Sequence, residues 1–194
     1  MTIRISLTNL WRKYLMAVCK IKGYNVAPTE SFFFDTNVWI FIFAPIAGSQ
    51  QYKQRIYSGL FNEILSRKAT IWVSSLIISE YVNAVLKFEF KQWKRRNKLI
   101  NADYKHDFRP TVDFKTALED VRAQVADILR VCERRPDNFN SIDVDSIITD
   151  MGNCSYDFVD SMIVDLCNRN REIKLVTDDT DISMSDTKFT VLTV

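Results

Sequence analysis

Two apolar runs in this chain stop at acids. SFFF ends at Asp35, and EIKLVT ends at Asp178 and Asp179, with Asp181 two positions later. Glu80 lies in SSLIISEYVN, and Asp157 and Asp160 stand three apart in DFVDSM, a spacing that puts both on one helical face. Taken singly, an Asp after a strand reads as a turn residue or a helix cap, and Asp157 reads as a cap. Drawn together, carboxylates from four places repel one another unless a cation compensates them. Oxygen ligands without histidine or thiolate favour magnesium or manganese over zinc. Such an ion activates water and stabilises the charge that develops on a phosphodiester under attack.

The elements that must position these acids alternate along the chain. SFFF, ATIWVS, EIKLVTDD and KFTVLTV read as strands, being short, apolar or β-branched, and bounded by polar residues. NVWIFIFAP reads as a helix stopped at Pro45, and QQYKQRIYSGLFNEILSRK as a helix with Tyr52, Ile56, Leu60, Ile64 and Leu65 on one face. Ser74 or Ser75 is a plausible N-cap for a long helix running through SEYVNAVLKFEFKQWKRRNK. TVDFKTALEDVRAQVADILRVCERR is a further amphipathic helix ended before Pro136, and SYDFVDSMIVDLCNRN is another. DNFNSIDVDSIITDMGN stays open between loop, strand and helix. The alternation predicts an α/β domain with a central, mostly parallel sheet flanked by helices, in which ligands sit at the carboxyl ends of strands. That rule brings Asp35 and Asp179 to one rim and lets Glu80 approach it.

Composition narrows the chemistry. The 194 residues, 47% hydrophobic, suit one domain. With one histidine, His106, and no GxSxG motif, a Ser-His-Asp hydrolase or a histidine-rich metal site is very hard to build. The cysteines, Cys19, Cys132, Cys154 and Cys167, form no CxxC pair, which excludes a zinc ribbon and a dithiol redox motif and points to a reducing, cytoplasmic setting. No apolar run reaches the length of a membrane span, and the start lacks a secretory signal. A phosphatase of the DxD type is disfavoured because Asn37 stands where its second aspartate belongs.

Net charge is only +2, so any nucleic-acid footprint must be local. One candidate is KFEFKQWKRRNK, where Lys91, Lys94, Arg95, Arg96 and Lys98 surround Trp93; cations interleaved with an aromatic can track phosphates and stack a base. The competing reading is a solvated helix end whose basic residues suit the dipole. Residues 1–29 hold Arg4, Arg12, Lys13, Lys20 and Lys22, with Leu7, Leu10, Trp11, Tyr14, Leu15 and Val18 at helical spacing. This is the pattern of an amphipathic basic helix packed on a domain that spans 30–194; an RNA-facing, membrane-surface or targeting segment is the minority reading.

FFFDTNVWI, Glu80 of SSLIISEYVN, DFVDSMIVDLC and KLVTDDTDI, in this order, resemble the four acidic motifs of PIN-domain ribonucleases, which include the VapC-type toxins of bacterial toxin-antitoxin pairs. The resemblance runs from about Ser31 to the C-terminus. It implies a three-layer PIN-like domain in which Asp35, Glu80, Asp160 and Asp179 form a magnesium or manganese site. Asp157, Asp178 and Asp181 become secondary ligand candidates, with Thr36, Asn37 and Thr177 as polar supports. The implied activity is endonucleolytic hydrolysis of RNA leaving 5'-phosphate and 3'-hydroxyl ends, with RNA as substrate and an antitoxin and a second copy of the chain as candidate partners. Two alternatives share the fold: an RNA-processing nuclease without an antitoxin, and a non-catalytic RNA-binding or scaffold protein. The basic N-terminal extension and a long middle, roughly Phe88 to Asn153, depart from a minimal toxin.

Overall fold

Residues 18–44, 50–152, 156–184 and 188–194 are described by the computed structural model. Their strands are β1 (Val18–Lys20), β2 (Ser31–Phe34), β3 (Thr70–Val73), β4 (Glu133–Arg134), β5 (Ile173–Val176) and β6 (Thr190–Thr193). They form one sheet in the order β1-β6-β5-β2-β3-β4, with every neighbouring pair parallel. From β2 the sheet grows one way through β3 to β4 and the other way through β5 to β6 and β1. The rim beside β2 is therefore a topological switch point, where parallel sheets open a crevice at their carboxyl ends.

Phe32, Phe33 and Phe34 of β2 are completely buried, as is expected of a central strand covered on both faces. Helices supply the covers: α1 (Thr36–Phe43), α2 (Gln51–Arg67), α3 (Ser75–Arg96), α4 (Val112–Val131), α5 (Val144–Met151), α6 (Phe158–Arg169) and the short α7 (Thr180–Met184). The predicted α/β class and flanked parallel sheet stand.

Three local expectations give way to tertiary structure. The amphipathic helix expected near the start lies outside the described residues for 1–17. At Val18 the chain is already β1, because Val18, Cys19 and Lys20 pair with Val191, Leu192 and Thr193 and extend the sheet. Ile21 and Val26, inside the stretch expected to end at residue 29, then join the core. Secondly, α2 buries Tyr57, Leu60, Phe61 and Ile64, whereas Tyr52 is 64% exposed and Leu65 also faces solvent. Aromatic partners turn that helix: Phe41 stacks on Tyr57 at 5.4 Å, and Trp39 meets Phe61 edge-on at 5.9 Å. Thirdly, the helix expected to run to Arg135 stops at Val131, and Glu133 and Arg134 pair with Trp72 and Val73 as an edge strand.

The long middle is a helical hairpin. Tyr81 donates to Gln124 at 2.7 Å and Arg96 pairs with Asp113 at 3.2 Å, so α3 and α4 run antiparallel. With about 1.5 Å rise per residue, α3 spans roughly 33 Å, whereas a four-residue strand spans only about 13 Å, so the hairpin's far end overshoots the sheet. That end packs on itself through Phe90, Trp93, Tyr104, Phe108 and Phe114, with ring centroids 5.3 to 6.3 Å apart. The ambiguous stretch before α6 resolves into a single 3-10 turn at Phe139–Ser141 followed by α5.

Candidate active site

Asp35 extends β2 by one residue: its N–H donates to the Val176 carbonyl at 3.0 Å, continuing the ladder to β5. It is 5% exposed. One carboxylate oxygen accepts from the Thr36 N–H at 2.6 Å, capping α1, and the other accepts from the Thr177 hydroxyl at 2.6 Å. Burial pushes this carboxyl up to about 7, and the neighbouring Glu80 and Asp160 charges add to the rise, against the two hydrogen bonds that favour the ionised form.

Glu80 reaches the same place from α3, where its carboxylate accepts from the Thr36 hydroxyl at 2.6 Å. Asp160 arrives from α6. Asp157 is the N-cap there, accepting from the Asp160 N–H at 2.9 Å, while the Asp160 carboxylate accepts in return from the Asp157 N–H at 3.3 Å, a reciprocal capping box. Burial, then the Asp157, Asp179 and Glu80 charges, push Asp160 up to about 6. Asp179 follows β5, donates its N–H to the Thr177 hydroxyl at 2.9 Å, and accepts from the Asp181 N–H at 2.7 Å at the start of α7.

Asp35, Glu80, Asp160 and Asp179 are thus brought into one electrostatic neighbourhood by β2, α3, α6 and the end of β5. The cap reading and the cluster reading hold together at Asp35, because its side chain binds a helix start while its charge faces the other acids. Helix N-termini favour negative charge and offset part of the repulsion.

Thr36 and Thr177 are the buried hydroxyls that orient Asp35, Glu80 and the Asp179 backbone, and Asn37 accepts from the Asp178 N–H at 3.3 Å. Replacing Thr177 by Val keeps the shape but strips Asp35 of its buried donor. A loss of about 1–3 kcal/mol in unfolding free energy is expected, read by denaturant titration; unchanged stability would mean that this bond is not formed in solution.

The secondary acids separate. Asp178 turns away, paired with Lys53 at 2.7 Å and accepting from the Tyr57 hydroxyl at 3.0 Å. The pattern missed Lys53 and Tyr57 because they sit one helical turn apart on α2, and only the sheet order brings that helix beside β5. Asp157 stays next to Asp160 as its cap, and Asp181 is exposed in the first turn of α7.

The basic strip is not at this rim. Trp93 is 7% exposed, stacked on Phe90 and packed at a tilt against Phe108, so it offers no face to a base. Arg96 is held by Asp113, and Lys94 lies over the Phe90 ring. Lys91 and Arg95 are exposed, and with Lys87 and Lys98 they line a groove of about 720 Å³. Fourteen residues along α3 place Lys94 roughly 21 Å from Glu80.

Among the described residues, no group of three or more Asp, Glu, His or Cys side chains is gathered closely enough to enclose a metal ion. The donor set itself fits a hard divalent cation: it is all oxygen, and among the described residues no Lys or Arg pairs with Asp35, Glu80, Asp160 or Asp179. Magnesium keeps several waters and takes one or two carboxylates plus substrate phosphate, so it does not need a closed protein cage. Among the described residues no helix is long and apolar enough to cross a membrane.

No family model matches the chain, and no curated protein matches it. Among solved structures, the chain is similar to one in the crystal structure of VapBC2 from Rickettsia felis bound to a DNA fragment from their promoter. Identity is 12% and the TM-score 0.48, over 83% of this chain and 96% of that chain.

Proposed function

We propose that the protein is a metal-dependent endoribonuclease of the PIN-domain type, acting on single-stranded RNA through Asp35, Glu80, Asp160 and Asp179. The observation that carries this reading is the convergence of four acids from four separate elements on one rim, with no paired cation among the described residues. A protein that used these residues only as helix caps would gain nothing from placing Asp35 where the Glu80 and Asp160 charges push it up, and Asp160 where Asp179 and Glu80 do the same.

The four acids would hold magnesium or manganese, which supplies an activated water and charge stabilisation at the phosphodiester. The chain's own contribution is placement. Buried Asp35 is fixed at both oxygens, Thr36 clamps Glu80, Thr177 joins the second and fifth strands, and the capping box fixes Asp160. Ligands on rigid elements are held more tightly than ligands on loops. An antitoxin as protein partner comes with the resemblance and belongs to the same proposal.

The direct test incubates the purified chain with a pool of labelled single-stranded RNAs in manganese or magnesium, with an EDTA control. Cleavage that needs the ion is expected. No cleavage together with no metal binding by calorimetry would sink the reading in favour of a scaffold.

A further inference from the structure

We propose that the same rim carries a second anion site, a seat for a backbone phosphate of the RNA strand beside the one being cut. Its parts are the N-terminus of α3, the Ser74 hydroxyl, and Arg134 and Arg135. This rests on the nuclease reading and deepens it by assigning where the strand passes after leaving the acids.

A cavity of about 440 Å³ opens between the start of α3 and the end of β4, lined by Ser74, Ser75, Ser79, Arg134 and Arg135 over the apolar Ile78. Ser74 is 3% exposed and its hydroxyl has no hydrogen-bond partner. It occupies the N-cap position of α3, yet its side chain does not cap, and the first turn of this helix holds no acid. Buried hydroxyls in folded proteins are satisfied, so this one points to a ligand in the cavity it lines. Arg135 Nε is also buried without a partner, and among the described residues neither arginine forms an ion pair. Free first-turn N–H groups, a hydroxyl and two guanidinium groups together form a phosphate receptor.

Its position relative to the acids follows from register. Phe33 pairs with Trp72, and Val73 pairs with Arg134, so Asp35, Ser74 and Arg135 extend three adjacent strands at the same level. Two strand spacings of about 4.8 Å put Arg135 roughly 10 Å from Asp35 at the backbone, a short step along one nucleic-acid strand. Asp137 stands beside the receptor. It accepts from the Ser75 hydroxyl, and its Oδ1 is buried without a partner, so its charge opposes a phosphate there.

The test compares wild type, Arg134→Ala, Arg135→Ala and Asp137→Asn in manganese with a labelled single-stranded RNA. Losing one charged contact should raise KM about tenfold and reduce the salt dependence of binding by about one phosphate contact, with kcat changed by less than about twofold. Asp137→Asn should move KM the other way. Arg135 packs on the Trp72 ring, so exposed Arg134 keeps the test clean if the Arg135 variant loosens the fold. In parallel, the metal-free chain is titrated with inorganic phosphate and the backbone amides of Ser75, Leu76 and Ile77 are followed by NMR. They should shift in wild type and not in the double arginine variant. Amide shifts in a protein that cleaves no RNA would uphold the anion site and overturn the nuclease reading. RNA cleavage with KM and salt slope unchanged in both arginine variants would overturn the anion site and leave the nuclease standing.

Discussion

Asp160→Asn should give a folded protein that has lost nearly all of its RNA cleavage. The amide oxygen can still accept from the Asp157 N–H, so the capping box and α6 survive. What disappears is one negative charge from the group that would hold the metal. Removing one preorganised electrostatic contact typically costs on the order of 10²–10³-fold in rate, and a drop of that size in kcat is the expected reading. The contrast is Asp157→Ala, which removes the cap and should lower stability by about 1 kcal/mol with a much smaller effect on rate. Equal activity losses in the two variants would mean that Asp160 acts through the helix rather than through its charge.

The second large effect is on stability and its pH dependence. In the unfolded chain Asp35 releases its proton near 3.8, whereas in the fold it keeps it up to about 7. Between those values the folded state binds the extra proton, so stability falls as pH rises through the window, by up to about 4 kcal/mol from Asp35 alone. Asp160, raised to about 6, acts in the same direction over the lower part of the window. The metal-free protein should therefore melt at a higher temperature at pH 5 than at pH 8. A divalent ion binds the ionised carboxylates, so manganese should raise the melting temperature strongly at pH 8 and weakly at pH 5. Melting curves in EDTA and in manganese at the two pH values read both parts. A metal-free melting temperature that is flat across this range, and indifferent to manganese at pH 8, would show that the acids do not meet in solution.

Much of this site was legible in the residues because Asp35, Asp160 and Asp179 lie at or beside element ends, with Glu80 one turn into α3. SFFF and EIKLV announce buried strands, and the parallel-sheet rule carries Asp35 and Asp179 to one rim without any knowledge of strand order. Asp157 and Asp160 declare a helix start by their spacing. What the pattern could not carry was anything that depends on a partner far away in sequence. Val18–Lys20 looks helical until Val191–Thr193 lies beside it, and Glu133–Arg134 looks like the tail of a helix until Trp72 and Val73 pair with it. Trp93 reads as a stacking platform because its neighbours are basic, but Phe108, fifteen residues on, claims its ring. The face of α2 was misjudged for the same reason: period alone cannot say that Phe41 and Trp39 will draw Tyr57 and Phe61 inward.

The aromatic end of the α3–α4 hairpin has a consequence for how the molecule breathes. Trp93 and Phe108 are buried but lie outside the core that the sheet organises, so two apolar clusters share one pair of helices. Contiguous clusters of this kind tend to open as separate cooperative units, each with its own free energy. Amide hydrogen exchange should then divide α3 near its middle: the turn carrying Glu80 protected with the sheet, and the turns carrying Phe90 and Trp93 opening together at lower cost. Motion at the hairpin's tip would be insulated from the acids on the rim, leaving that end free to change without disturbing them.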